Sequence, residues 1–206
     1  MSFETNVFVN CPFDEDYKPL LRALLFTILD LGFSPRIALE RLDSGEARIE
    51  KIIELVEESK FGIHDLSRLR AQKRGEFYRL NMPFELGLDA GCRRFKGGRW
   101  ASKRYLILEA KSFRYQAALS DIAGSDIATH SDDATQIVSE VRNWLNSQAG
   151  LHAPGPTRIW NRFTDFAAKN YDDLINRGFS DGDIERLSMN ELISEMKVWI
   201  AANPPG

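Results

Sequence analysis

The chain of 206 residues predicts a parallel α/β sheet of about five strands with helices on both faces, followed by a helical appendage. Two observations predict it. Short runs rich in β-branched and aromatic residues alternate with longer runs whose apolar residues recur at helical spacing, the pattern of strand–helix–strand units. A Gly/Pro-rich break from Ala149 to Pro156 then separates this alternation from a stretch of helical periodicity alone. The break divides the chain into an α/β unit, residues 1–150, and a helical extension, residues 151–206.

Asn6 to Cys11 is rich in β-formers and reads as a buried first strand, ended by Pro12. Asp14, Glu15 and Asp16 suit the positive end of a helix that follows. Leu20, Leu21, Leu24, Leu25, Ile28 and Leu31 supply its stripe, and Gly32 closes it. Phe33 to Leu39 is the second strand. Asp43 and Glu46 have capping-box spacing before a second helix whose buried stripe is expected to be Ile49, Ile52, Ile53 and Val56. Phe61 to Asp65 is a third strand, Ser67 to Leu80 a polar loop, Met82 to Cys92 a third helix and Arg104 to Glu109 a fourth strand. Phe113 to Ala123 reads as a short helix, Asp126 to His130 as a fifth strand, and Asp132 to Gln148 as a helix with Ile137, Val141, Trp144 and Leu145 on one side. Beyond the break, Ile159, Phe163, Phe166 and Ala167 share one helical face. Ser188 and Glu191 form a capping box, Leu187 and Leu192 a hydrophobic staple, and Leu192, Met196 and Trp199 a stripe. So short a run of helix buries little surface alone, so it is expected to pack on the α/β unit or on a second subunit.

Composition narrows the function. Apolar residues make up 43% and charged residues 28%, with a net charge of −3 and no long basic run. Direct nucleic-acid binding therefore lacks electrostatic support; Arg68 to Arg79 reads as a solvated loop or a phosphate-binding patch. Two cysteines, Cys11 and Cys92, with no signal sequence before them, point to a reducing cytoplasm. The most apolar run, Leu20 to Leu31, is too short to span a bilayer and contains Arg22, so no membrane association is expected. His64, His130 and His152 show no metal-ligand spacing. Nucleotide phosphate loops and a Gly-x-Ser-x-Gly elbow are absent too, so neither a metal nor a cofactor is expected.

Ligands in such sheets bind beyond the carboxyl ends of the strands. That rim collects Asn10 to Asp14, Glu40 to Glu46, Asp65 to Arg68, and Asn81 to Glu85. Asp65 and Glu85 are the candidate catalytic pair; Asn10, Pro12, Phe13, Asn81 and Arg48 are the candidate substrate-binding residues. If Asn81 is the N-cap, Pro83 falls in the first turn and Glu85 lies near the positive helix end on one face with Asn81, a place that keeps a nucleophilic carboxylate ionised. If Met82 is the cap, Glu85 merely helps to cap the helix. Asp65 either contacts a ligand or caps the turn before Ser67. His64 alternates with Asp65 and is expected to pack against a helix. Phosphates of a ligand would meet Arg36, Arg41 or Arg48, since the acids after Phe13 repel them.

These residues resemble a family. Val7 to Phe13 is similar to the first strand and turn of nucleoside 2-deoxyribosyltransferases, Ile63-His64-Asp65 to the strand whose terminal Asp contacts the base, and Phe84-Glu85-Leu86-Gly87-Leu88 to the Glu-Leu-Gly helix whose Glu is the nucleophile. TIR-like domains share this flavodoxin-like topology; some cleave NAD with a Glu, often in bacterial defence, and others signal or bind nucleotides. The resemblance covers residues 5–110. The chain departs from it at Lys60, where the transferases have an acid, at Leu88-Asp89-Ala90, where they have small residues, and in the insertion from Gly97 to Ala101. The resemblance implies an N-glycosidase or deoxyribosyltransferase-like enzyme, NAD hydrolysis included, acting on a nucleoside or nucleotide. In it Glu85 is the nucleophile, Asp65 orients base or ribose, and Asn81 binds a ribose hydroxyl or positions Glu85. It also implies a homo-oligomer whose pockets neighbouring subunits complete. The alternative is a TIR-like nucleotide-sensing or assembly module without turnover.

Overall fold

The computed structural model describes residues 2–40, 43, 45–68, 80–111, 119 and 126–205. The expected helix from Phe113 to Ala123 and nearly all of the loop from Ser67 to Leu80 lie outside them. The elements are β1 (Asn6–Asn10), α1 (Lys18–Asp30), β2 (Ser34–Ile37), α2 (Arg48–Glu57), β3 (Phe61–Asp65), α3 (Asn81–Phe95), β4 (Arg104–Glu109), β5 (Ile127–Thr129), α4 (Ala134–Ala149), α5 (Pro156–Asn176), α6 (Asp181–Glu185) and α7 (Met189–Ala202). Short 3-10 turns precede α1, follow β2 and precede β4. The five strands form one parallel sheet in the order β2-β1-β3-β4-β5, the flavodoxin-like order. The chain reverses its direction of travel across the sheet between β1 and β3, so the crevice opens beyond Asn10 and Asp65.

Period-two alternation sorts the strands' side chains between two layers. Val7, Val9, Phe61, Ile63, Leu106 and Leu108 pack with α1, α4 and the C-terminal helices in one large core. On the opposite face Phe8 packs against Ile52, Leu55 and Val56 of α2, and Ile107 against Met82 and Leu86 of α3. The C-terminal helices are part of the first layer: Ile159, Phe166, Leu174, Leu192 and Met196 share its core, and Phe26 of α1 contacts the rings of Phe163, Phe166 and Trp199. Of the two expected places for the tail, the α/β unit is the one it occupies. The Ser188–Glu191 capping box is present.

The structure corrects several local expectations. Asp43 and Glu46 do not box a helix: Asp43 accepts from the Gly45 amide in a turn of its own, and α2 starts at Arg48 after an Ala47 N-cap that offers no side-chain acceptor. The helix is also rotated from the expected stripe. Leu55 and the stem of Lys51 join Ile52 and Val56 inside, leaving Ile49 43% and Ile53 39% exposed. Ala167 lies outside the buried stripe of α5, which runs through Ile159, Phe166 and Leu174.

Candidate functional site

A hollow of about 360 Å³ opens at the carboxyl end of β1 and is lined by Cys11, Pro12, Phe13, Arg48, Leu80, Asn81 and Met82. Four residues singled out in the sequence, Pro12, Phe13, Arg48 and Asn81, thus meet at one place. Pro12 follows the last residue of β1 by two positions; Arg48 is the first residue of α2, and Asn81 the first of α3. Asn10, one residue before Cys11, is buried, and its Nδ2 donates to the carbonyl of Met82 at 2.8 Å.

Glu85 stands behind this lining rather than in it. Leu80, not Asn81 or Met82, is the N-cap of α3, and its side chain makes no cap hydrogen bond. Glu85 is therefore the fifth helical residue, past the N3 position from which it would cap. It is 5% exposed, and its carboxylate lies 3.9 Å from the Arg48 guanidinium, an ionic contact without hydrogen-bond geometry. Burial pushes its pKa up to about 7, and the charge of Arg48 only partly opposes that. The expectation that the helix end keeps this acid ionised is thus corrected. Five residues into α3 the end field has faded, and loss of water dominates.

Asp65 shares the rim with Glu85 but not the sheet face. It points into the α1–α4 layer, wholly buried, while α3 covers the other side. Tyr17 donates its hydroxyl to Asp65 Oδ2 at 2.5 Å, and His130 Nε2 lies 3.0 Å from the same oxygen. The amide of Ser67 (2.8 Å) and its hydroxyl both donate to Oδ1. Burial raises the Asp65 pKa, but the bonds from His130, Ser67 and Tyr17 outweigh it and hold the carboxyl below its ordinary value. With both oxygens doubly engaged, Asp65 caps the exit of β3, and its own acceptors do not open into the hollow. Ser67, His130 and Asp65 do not form a nucleophilic triad either. His130 Nδ1 accepts from the Asp132 amide, so serine and aspartate compete for the one Nε2 proton instead of lying on opposite sides of the ring. Ser131 and Asp132, both at positive φ, make the tight turn that aims His130 inward.

Cys11 registers how the acids converge. Its buried thiol is raised well above its ordinary pKa by desolvation first, then by the charges of Asp65, Glu85 and Asp14. It is therefore a poor nucleophile, and both candidate acids lie within electrostatic reach of one atom. Arg36, a candidate for phosphates, is spent on Glu40 and Glu58, and Arg41 lies outside the described residues. Sequence reasoning missed Tyr17, His130, Lys103 and Asp89, whose buried polar contacts span 14 to 65 positions and leave no local pattern.

His64 packs against α3 as expected, donating to Asp89. Among the described residues no cluster of His, Cys, Asp or Glu could hold a metal ion, and no helix is long and apolar enough to cross a membrane. No family model matches the chain, and neither a curated protein nor a solved structure proves similar to it.

Proposed function

We propose that the hollow binds a nucleoside or nucleotide and that the protein cleaves or transfers its N-glycosidic bond, with Glu85 as the acting carboxylate. The observation that carries this reading is a nearly buried acid in contact with Arg48, which lines a hollow also walled by Pro12, Phe13 and Asn81. The aromatic and apolar wall suits a base, and the amide of Asn81 suits a ribose hydroxyl. As the base leaves, positive charge grows on the anomeric carbon. Ionised Glu85 attacks or stabilises that carbon, and water or a second base then takes the sugar. Only the ionised form serves, so turnover rises with pH through about 7.

The test is incubation with NAD and a panel of nucleosides and nucleotides, followed by chromatography. Base release that Glu85→Gln abolishes in a folded protein supports the reading; equal release by the variant refutes the role of Glu85. A second reading, a TIR-like nucleotide-sensing or assembly module without turnover, is favoured by one observation: Asp65, the expected base contact, has no acceptor to spare. Thermal stabilisation by a nucleotide without release selects it. The assembly that the resemblance implies would appear as a multiple of 23.5 kDa in light scattering.

A further inference from the structure

A line of buried polar side chains runs between the sheet and α3, on the face that carries Glu85. The buried positions of α3 are Met82, Glu85, Leu86 and Asp89, the i, i+3, i+4, i+7 stripe of an inward face. Glu85 lies midway along it, and both ends are held by polar contacts. At the near end Asn10 Nδ2 donates to the Met82 carbonyl at 2.8 Å, and it lies 3.1 Å from His64 Nδ1. Asn10 and His64 are register partners on β1 and β3, so the contact is built into the sheet. With Nδ1 accepting, the His64 proton sits on Nε2, 3.0 Å from Asp89 Oδ2 at the far end. Lys103 Nζ lies 3.1 Å from Asp89 Oδ1 and gives its hydrogens to the carbonyls of Val56 (2.7 Å) and Ser59 at the end of α2. The Asp89–Lys103 approach is ionic only, since Asp89 Oδ1 makes no hydrogen bond. His64, Asp89 and Lys103 have no exposed surface at all.

The sheet is shaped to admit this line. A Cβ on Gly62 would lie 2.2 Å from Asp89 Oδ2 and 3.0 Å from His64 Nε2, so β3 is bare where the pair sits. Apolar residues of equal volume would hold a helix to a sheet at least as well, as they hold α1 on the other face. What a buried, directional network adds is a unique register, the best-attested use of such groups. We propose that Asn10, His64, Asp89 and Lys103 are positioning residues for Glu85, clamping α3 on both sides of it so that its carboxylate is held toward Arg48 and the hollow. Side-chain tips lie about 5–6 Å from a helix axis, so a rotation of about 20° would displace the carboxylate by about 2 Å. A misplacement of that size costs on the order of 10²-fold in rate.

The inference rests on Glu85 being the working group of the hollow, and its test has one arm that needs no turnover. Titration of the Glu85 carboxyl is followed by ¹³C NMR in the full chain, its signal assigned by its loss in Glu85→Gln. Among the described residues, Arg48 of α2 and Cys11 beyond β1 are the charged or titratable groups linked to it. His64→Leu cuts the line; His64→Gln retains a donor toward Asp89. The expected result is a midpoint near 7 in the parent, displaced by at least half a unit in His64→Leu and restored in His64→Gln. Where base release is measurable, kcat falls about 10²-fold in His64→Leu with KM changed less than threefold. A His64→Leu protein that melts earlier while its Glu85 midpoint matches the parent overturns the proposal. If His64→Leu does not fold, Asn10→Ala removes the Met82 contact and leaves the Asp89–Lys103 pair intact, and the same two midpoint outcomes decide. Absence of base release from every substrate refutes the catalytic reading alone, because the titration arm still stands.

Discussion

Glu85 combines two properties that oppose each other: it is nearly buried, and its contact with the Arg48 guanidinium is loose. Its pKa of about 7 against an ordinary 4.5 makes stability depend on pH. Between those values the folded chain holds a proton that the unfolded chain has released, so stability falls as pH rises across that window and levels off above it. Glu85→Gln, which cannot ionise, should therefore stabilise the fold by about 1–3 kcal/mol at pH 8 and change little at pH 4. Urea denaturation at the two pH values reads this difference directly. Gly62 is the second residue on which much depends. Gly62→Ala forces Asp89 away from His64 and should cost on the order of 3 kcal/mol, combining overpacking with a broken buried pair. A loss below about 0.5 kcal/mol in the same assay would show that α3 can shift freely.

At the scale of elements, legibility followed locality. β3 and β4 were readable to the residue because each is an apolar run between breaks, and the Ser188–Glu191 box because both partners lie within one turn. Ser188→Ala should cost about 1 kcal/mol, measured as a lowered urea midpoint at unchanged slope. The start of α2 misled because Asp43 has the same local chemistry in a turn as in a cap, and only the tertiary path decides between them. Its stripe misled because Ile49 and Ile53 fit helical spacing as well as Leu55 does; contact with Phe8 selects which side turns in. The site was half legible. Residues that end strands or begin helices could be placed on the rim by topology, which brought Pro12, Phe13, Arg48 and Asn81 to one hollow. The faces were harder. Strand alternation separates His64 from Asp65, but that Asp65 sits across the sheet from α3 follows only from which helix covers which side. Buried links such as Asp65–His130 and Asp89–Lys103 are pairings of distant residues with no periodic signature.

The whole molecule folds around a sheet whose larger core layer is completed by the C-terminal helices. Arg162 of α5 reaches Asp30 at the end of α1 at 2.8 Å and the carbonyl of Asn203 beyond α7 at 2.6 Å, joining the two regions by polar as well as apolar contacts. A chain cut after Gly150 would uncover Phe26, Leu145 and their neighbours and is expected to lose cooperative unfolding, whereas the full chain is expected to melt in one transition by near- and far-UV circular dichroism alike. This support keeps the rim in one shape, and the chemistry proposed for Glu85 takes place at that rim. The most direct measurement is the rate of base release from the best substrate between pH 5.5 and 8.5, for the parent and for Glu85→Gln. The parent rate is expected to climb to a plateau with a midpoint near 7, and the variant rate to stay at the blank throughout. A variant that releases base at the parent's rate, or a parent rate that is flat across this range, would contradict it.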